Sequence, residues 1–344
     1  MKYLGIAVFF IVLLMPGFIS AQSSFTRVKE ELIFQDVPFA QCHASTLLET
    51  SNGEILAAWF GGTQEGNKDV KIWTSINRNG KWSYPVEFAN GNFGTEGTFP
   101  LWNPVLFKNS EDRIFLFYKA GPNPRDWWGM YKTSADQGKT WSDAVRLPDG
   151  ILGPIKNKPI QLADGTILSP SSTETGGNWK VHIERSLDQG KSWQKIPVDP
   201  ETEFEVIQPS ILTYPNGLLQ ILCRSKQGNV IESWSDDRGI SWSKMKHTTL
   251  LNPNSGTDAV SLKNGIQLIV YNPLIPGEEW FNGRFKLNIA QTLNGRIWKD
   301  IMILEDGTKE EYSYPAIIQT MDGRVHISYT FDRKNIKYLV FENN

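Results

Sequence analysis

The chain has 344 residues and a formal net charge of −2, from 35 Lys and Arg against 37 Asp and Glu. That balance excludes a basic nucleic-acid footprint. Its only cysteines, Cys42 and Cys223, are too few for a disulfide-built scaffold.

The N-terminus is read first. Lys2 gives a short positive segment, Leu4 to Met15 form an apolar core, and Ile19-Ser20-Ala21 is a small-residue cleavage site before Gln22. This pattern predicts a signal peptide over 1–21 and export to a periplasm or beyond the cell. The apolar run is shorter than the ~20 residues a spanning helix needs. No membrane span is therefore expected after cleavage.

From Ser45 onward two repeats alternate. Turn residues followed by an apolar strand occur at Asn52-Gly53, Glu111-Asp112, Asp164-Gly165, Asn216-Gly217, Asn264-Gly265 and Asp322-Gly323. A strand-like run precedes each, so each reads as a β-hairpin. Between them recurs Ser-x-Asp-x-Gly-x-Thr/Ser-Trp. It is complete at Ser134 to Trp141, Ser186 to Trp193 and Ser235 to Trp242, and degenerate at Ser75 to Trp82 and Thr292 to Trp298. Asp or Asn beside Gly suits a tight turn, and the Trp pins that turn onto its sheet. The spacing of about fifty residues is that of propeller blades. The expectation is an all-β, six-bladed β-propeller over 22–344, as one domain. Blade six lacks its own box, so the strand from Arg27 to Phe34 should complete it and close the ring, which leaves no open edge. The cysteines fall on non-adjacent blades and should be buried free thiols.

Inner strands of a propeller converge on its axis, so residues at their starts share one mouth. Counting back from the turns gives His43, Asn103, Asn157, Gln208, Asp258 and Tyr314, with Lys156, Lys158 and Thr257 alongside. Six polar residues at equivalent places, chemically diverse, point to a site in a concave mouth.

The boxes, the hairpin spacing and Tyr314-Pro315-Ala316-Ile317 ahead of Asp322-Gly323 resemble the sialidase superfamily. The segments Cys42-His43-Ala44-Ser45-Thr46-Leu47, Gly153 to Pro159 and Glu232 to Asp237 are similar to a bacterial branch of predicted neuraminidases. The resemblance covers essentially the whole mature chain. It implies that Tyr314 is the nucleophile, with Tyr312 as fallback, and that Glu311 or Glu232 polarises the phenol. Of three arginines that would clamp a substrate carboxylate, Arg284 matches the third and Arg224 lies in the blade of the second. The place of the first reads His43-Ala44-Ser45. A histidine there is a candidate general acid or base, as in superfamily members that remove rhamnose from glucuronate. The acid/base carboxylate of the family lies on the loop after the first hairpin, where Glu65 and Asp69 both qualify.

Lys119, Lys156, Lys158 and Arg224 should make the mouth cationic and suited to an anionic sugar. Tyr271-Asn272 and Trp127-Trp128 are candidates for hydrogen bonding and stacking. His43, His182, His247 and His326 lie on different blades without ligand spacing, so no metal site is expected. No phosphate-binding glycine loop follows a strand, so no nucleotide cofactor is expected. Three readings follow: an exo-acting glycoside hydrolase for a terminal sialic or uronate-linked sugar, a lyase on uronate-containing glycans, and a non-catalytic carbohydrate-binding propeller. The hydrolase ranks first.

Overall fold

Ser134, Asp136 and Thr140 show why the boxed repeat turns where it does. Ser134 Oγ donates to Asp136 Oδ1 at 2.8 Å, and Thr140 N and Oγ1 donate to the same carboxylate at 2.9 and 2.6 Å. Gly138 N donates to Ser134 Oγ at 2.9 Å from a backbone with φ of 83°, which glycine adopts without strain. The same bonds recur around Asp188 and Asp237. The copy at Thr292 keeps part of them through Asn294. Each complete box also latches the blade before it. Ser51 N donates to Gln137 Oε1, Asn109 Nδ2 to Gln189 Oε1, and Arg238 pairs with Asp164.

The structure, a computed structural model, describes residues 25–279 and 281–343. The expected signal peptide lies outside the described residues. Strands within each blade are antiparallel, and the six sheets follow one another in chain order. Blade one begins with Gln41–Glu49 innermost, blade two with Leu101–Lys108 and blade three with Ile160–Gln161. Blades four, five and six begin with Val206–Thr213, Asp258–Ser261 and Tyr312–Gln319. The N-terminal strand Phe25–Leu32 pairs with Asn335–Asn343 as the outer strand of blade six. The ring therefore closes as expected, with first and last strands in one sheet.

The apolar core is divided among the gaps between blades. Leu56, Ala58 and Phe60 of blade one meet Leu106, Leu116 and Tyr118 of blade two. Comparable clusters fill the other gaps, including that between blades six and one, where Ile336 and Tyr338 pack on Trp59 and Leu47. Cys42 and Cys223 are buried, free thiols, whose burial pushes both well above the usual thiol range. Among the described residues no helix is long and apolar enough to cross a membrane.

Candidate active site

The inner strands of blades one, two, four and six each bulge as they leave the mouth. The bulges lie between His43 and Thr46, Trp102 and Val105, Ile207 and Ser210, and Ser313 and Ala316. One residue in each has positive φ: Ala44 at 55°, Asn103 at 37°, Gln208 at 55° and Tyr314 at 51°. These four are the equivalent set. The sequence count that placed His43 among them is one residue out: Asn103, Gln208 and Tyr314 each stand eight residues before their turns, as Ala44 does before Asn52, whereas His43 stands nine before it. Pro104, Pro209 and Pro315 follow three of the four, which is tolerated because the innermost edge has no neighbour to donate to. Non-glycine residues in this region cost about 1–3 kcal/mol each and gather at functional sites. Here they gather at one mouth.

Tyr314 stands at its centre. Its Oη accepts from Arg224 Nη1 at 2.7 Å and from Gln208 Nε2 at 3.3 Å. Arg224 is held from both sides, its Cζ lying 5.1 Å from the Trp179 ring centroid and 5.8 Å from that of Tyr314. Its Nε donates to Asn254 Oδ1 at 2.8 Å, while the Asn254 carbonyl accepts from Arg284 Nη2 at 3.1 Å. Asn254 therefore ties two guanidiniums together beside the phenol. Burial and the neighbouring Arg224 charge pull Arg284 below its ordinary value.

Glu311 supplies the counter-charge, accepting from Arg284 at 3.2 Å and from Arg333 Nε at 2.7 Å. Burial alone would raise its carboxyl, but Arg333 and Arg284 outweigh burial and hold it below the usual carboxylate range. Arg333 also pairs with Glu65, which links the loop after the first hairpin to blade six. Arg284 and Arg333 thus share Glu311, and Arg333 also takes Glu65, while Arg224 bonds the Tyr314 phenol.

His43 lies beneath the phenol, ring centroids 4.1 Å apart, with Nδ1 on Thr330 Oγ1 at 2.8 Å. Burial, then Arg333, Arg284, Lys156 and Arg224, drive its pKa well below the ordinary value. Its setting therefore favours the neutral imidazole, which argues against a resting general acid and fits a stacked neighbour or weak base. Asn103 is buried at the bulge of blade two. Asn157 donates to the Gln208 carbonyl at 2.9 Å and bonds Lys156 on the axis.

Several expected groups lie elsewhere. Glu232 does not meet Tyr314; it accepts from Gln220 Nε2 at 2.6 Å, and Gln220 also bonds the Gly295 carbonyl in the box of blade five. Lys119 is fully buried against the Pro154 carbonyl at 2.7 Å and adds no charge to the mouth. Tyr271 points into the gap between blades four and five and donates to Asp300 at 2.8 Å. Asn272 staples blade five to blade six through the Lys286 and Tyr312 carbonyls. Asp258 and Lys158 consume each other at 2.9 Å, and Asp258 also accepts from Ile317 N at 2.9 Å, so both brace blades rather than face a ligand. Asp69 caps its own loop, accepting from Thr63 N and Oγ1 at 2.8 and 2.9 Å. Trp127 is buried on Trp102, and Trp128 packs on Phe93 and Phe99. Tyr312, the fallback nucleophile, is buried on Phe331. Among the described residues no group of three or more His, Cys, Asp and Glu is arranged to hold a metal.

Arg333, Asn254 and Trp179 are the residues that sequence reasoning missed. Arg333 sits in the tight turn after Val325–Phe331, and Trp179 on a non-repeating loop, so neither carries a periodic signal. Asn254 lies in the turn-rich run Asn252-Pro253-Asn254-Ser255-Gly256, immediately before an inner strand. That position was the available clue.

The fold has solved counterparts. A protein of unknown function from Dyadobacter fermentans is 17% identical with a TM-score of 0.75, over 93% of this chain and 99% of that one. The K499G mutant of NanB sialidase from Streptococcus pneumoniae is 12% identical with a TM-score of 0.72, over 91% and 70%. Trypanosoma rangeli sialidase in complex with 2,3-difluorosialic acid, a covalent intermediate, is 15% identical with a TM-score of 0.72, over 92% and 58%. At these identities the likeness establishes the fold. No curated protein matches the chain. The model of the BNR repeat-like domain matches residues 53–327, and the chain belongs to that family.

Proposed function

We propose that the chain is an exo-acting glycoside hydrolase that removes a terminal acidic sugar, sialic acid or a related uronate-linked sugar, from glycans. One observation carries this reading: the Tyr314 phenol is held by Arg224 at 2.7 Å, with Arg284 joined to Arg224 through Asn254. Two planar forks side by side suit a carboxylate, and one of them donates to the phenol oxygen that would attack. In this mechanism the phenolate attacks the anomeric carbon, the glycosidic C–O bond breaks, and the leaving oxygen takes a proton. Water then cleaves the aryl-glycosyl bond. Of the two loop carboxylates, Asp69 accepts from Thr63 and Glu65 pairs with Arg333, so whichever gives the proton must first leave its partner. The fold shared with a sialidase solved as a covalent intermediate supports this reading.

A second reading has an observation of its own. The bonds that reach Tyr314 Oη come from a guanidinium and an amide, not from a carboxylate. An elimination needs no further base: the phenolate takes the C5 proton of a uronate, the C4–O bond breaks as the C4–C5 double bond forms, and the proton passes to the leaving oxygen.

Sialyl-lactose and a rhamnosyl-glucuronate glycan, incubated side by side with the mature protein, separate these readings. Released sialic acid that disappears in Tyr314→Phe supports the hydrolase. An ultraviolet-absorbing product supports the lyase. Binding of glycan without product, indifferent to His43→Ala and Tyr314→Phe, leaves a binding propeller.

A further inference from the structure

We propose that Lys156 is a positioning residue for Tyr314: its buried ammonium group holds the carbonyl of Pro315, the residue that follows the strained Tyr314 backbone. Its kinetic test rests on the hydrolase reading above; its spectroscopic test does not.

Lys156 was expected to bind substrate. Instead, its Nζ donates to Asn157 Oδ1 at 2.9 Å, to the Thr257 carbonyl at 3.0 Å and to the Pro315 carbonyl at 2.6 Å. These acceptors belong to the starts of the inner strands of blades three, five and six. Pro315 directly follows Tyr314, whose φ of 51° must be held by its surroundings. Nζ also lies 5.7 Å from the centroid of the Tyr314 ring. Gly256 makes room for this arm, since a Cβ there would stand 2.9 Å from Lys156 Cε and 3.1 Å from Gln208 Oε1. The side chain is 5% exposed, so water does not substitute freely for a lost bond.

Three acceptors require three N–H groups. An ammonium has three; a neutral amine has two. Only protonated Lys156 satisfies its whole setting. Burial brings its pKa down to about 7, Lys158 and Arg224 push the same way, and Asp258 opposes them. Tyr314 faces the group from blade six, and the setting of His43 in blade one favours its neutral form. The donor count on the axis therefore changes near neutrality. Above that point one of the three acceptors is left without a donor, and the hold on the Pro315 carbonyl, one residue past Tyr314, loosens.

The sign of the linked stability effect is opposite. The folded value lies below the ordinary 10.5, so between about 7 and 10.5 the unfolded chain binds more protons. The contribution of this group to stability therefore rises with pH in that window. A fall in turnover above pH 7 without a fall in melting temperature is thus the signature of positioning, not of unfolding.

The test uses wild-type protein with 13C-labelled tyrosine, the Tyr314 Cζ resonance being identified by its loss in Tyr314→Phe. The expected result is a step in that resonance with a midpoint near pH 7, absent in Lys156→Met. In the same variant, folded by its thermal melt, kcat on sialyl-lactose should fall about tenfold or more, with KM within about threefold. Wild-type protein with no step near pH 7 would overturn the proposal, as would folded Lys156→Met with unchanged kcat. Should Lys156→Met fail to fold, the wild-type step and a matching titration of the Lys156 Cε resonance decide. A wild-type protein that turns over no glycan refutes the hydrolase reading and leaves the resonance test intact.

Discussion

The chemistry of the mouth depends on where a few charges are held. On the proposed mechanism, removing the Tyr314 hydroxyl by Tyr314→Phe should lower kcat at least about a thousandfold with little change in KM, since the phenol would be the reacting group. Arg224→Lys keeps the charge but loses the flat fork between Trp179 and Tyr314, so KM should rise about tenfold. Glu311→Gln removes the counter-ion of Arg284 and Arg333 and strands buried charge, a loss of about 3–5 kcal/mol readable by denaturant unfolding. The pH sign follows: the folded carboxyl of Glu311 titrates below its ordinary value of 4.5. Its stabilisation is present above that value and is lost as pH falls through the lower folded one. Residue by residue, legibility was uneven. Tyr314 was readable because a proline and a fixed distance to Asp322 mark its place. Glu232 was misread because an acidic residue near a box looks the same in sequence whether it faces the axis or the next blade. Arg333 was invisible, since a turn residue brought in from the far end of the chain has no local pattern.

Elements were more legible than residues, because strands and turns repeat and side-chain networks do not. The boxes were found by their spacing, and their hydrogen bonds explain the spelling. Thr140 and Ser192 donate to Asp136 and Asp188, bringing both carboxyls down to about 2, and Asp237 reaches about 2 against its partial burial. Their stabilisation should be fully present above the ordinary aspartate value of about 3.9 and be lost as pH falls towards 2. An acid melt should show this loss, and Asp188→Ala should reduce it while lowering the melting temperature at neutral pH by about 2–4 °C. The bulged inner strands were less legible. The same bulge recurs in four of them, so Ala44, Asn103, Gln208 and Tyr314 all stand eight residues before their turns. His43 is nine residues before its turn, so setting it level with Tyr314 was one residue out, and Ala44 is the level position.

At the scale of the molecule, ring closure was readable from an arithmetic mismatch, a blade with three strands at one end and a spare strand at the other. Phe25–Leu32 pairs along its length with Asn335–Asn343. A chain lacking Phe25–Leu32 should expose an unpaired edge, melt lower and self-associate, as light scattering would show. The closed ring fixes the six inner strands as one frame, and the mouth inherits its geometry from that frame. The central claim is that this mouth recognises a sugar carboxylate through Arg224 and Arg284. The most direct measurement is calorimetric titration of folded Tyr314→Phe protein with N-acetylneuraminic acid or glucuronic acid, each compared with its methyl ester. The account expects the acid to bind at least about tenfold more tightly than the ester, with the preference lost when Arg224→Ala is added. Equal binding of acid and ester, with or without Arg224, would contradict it.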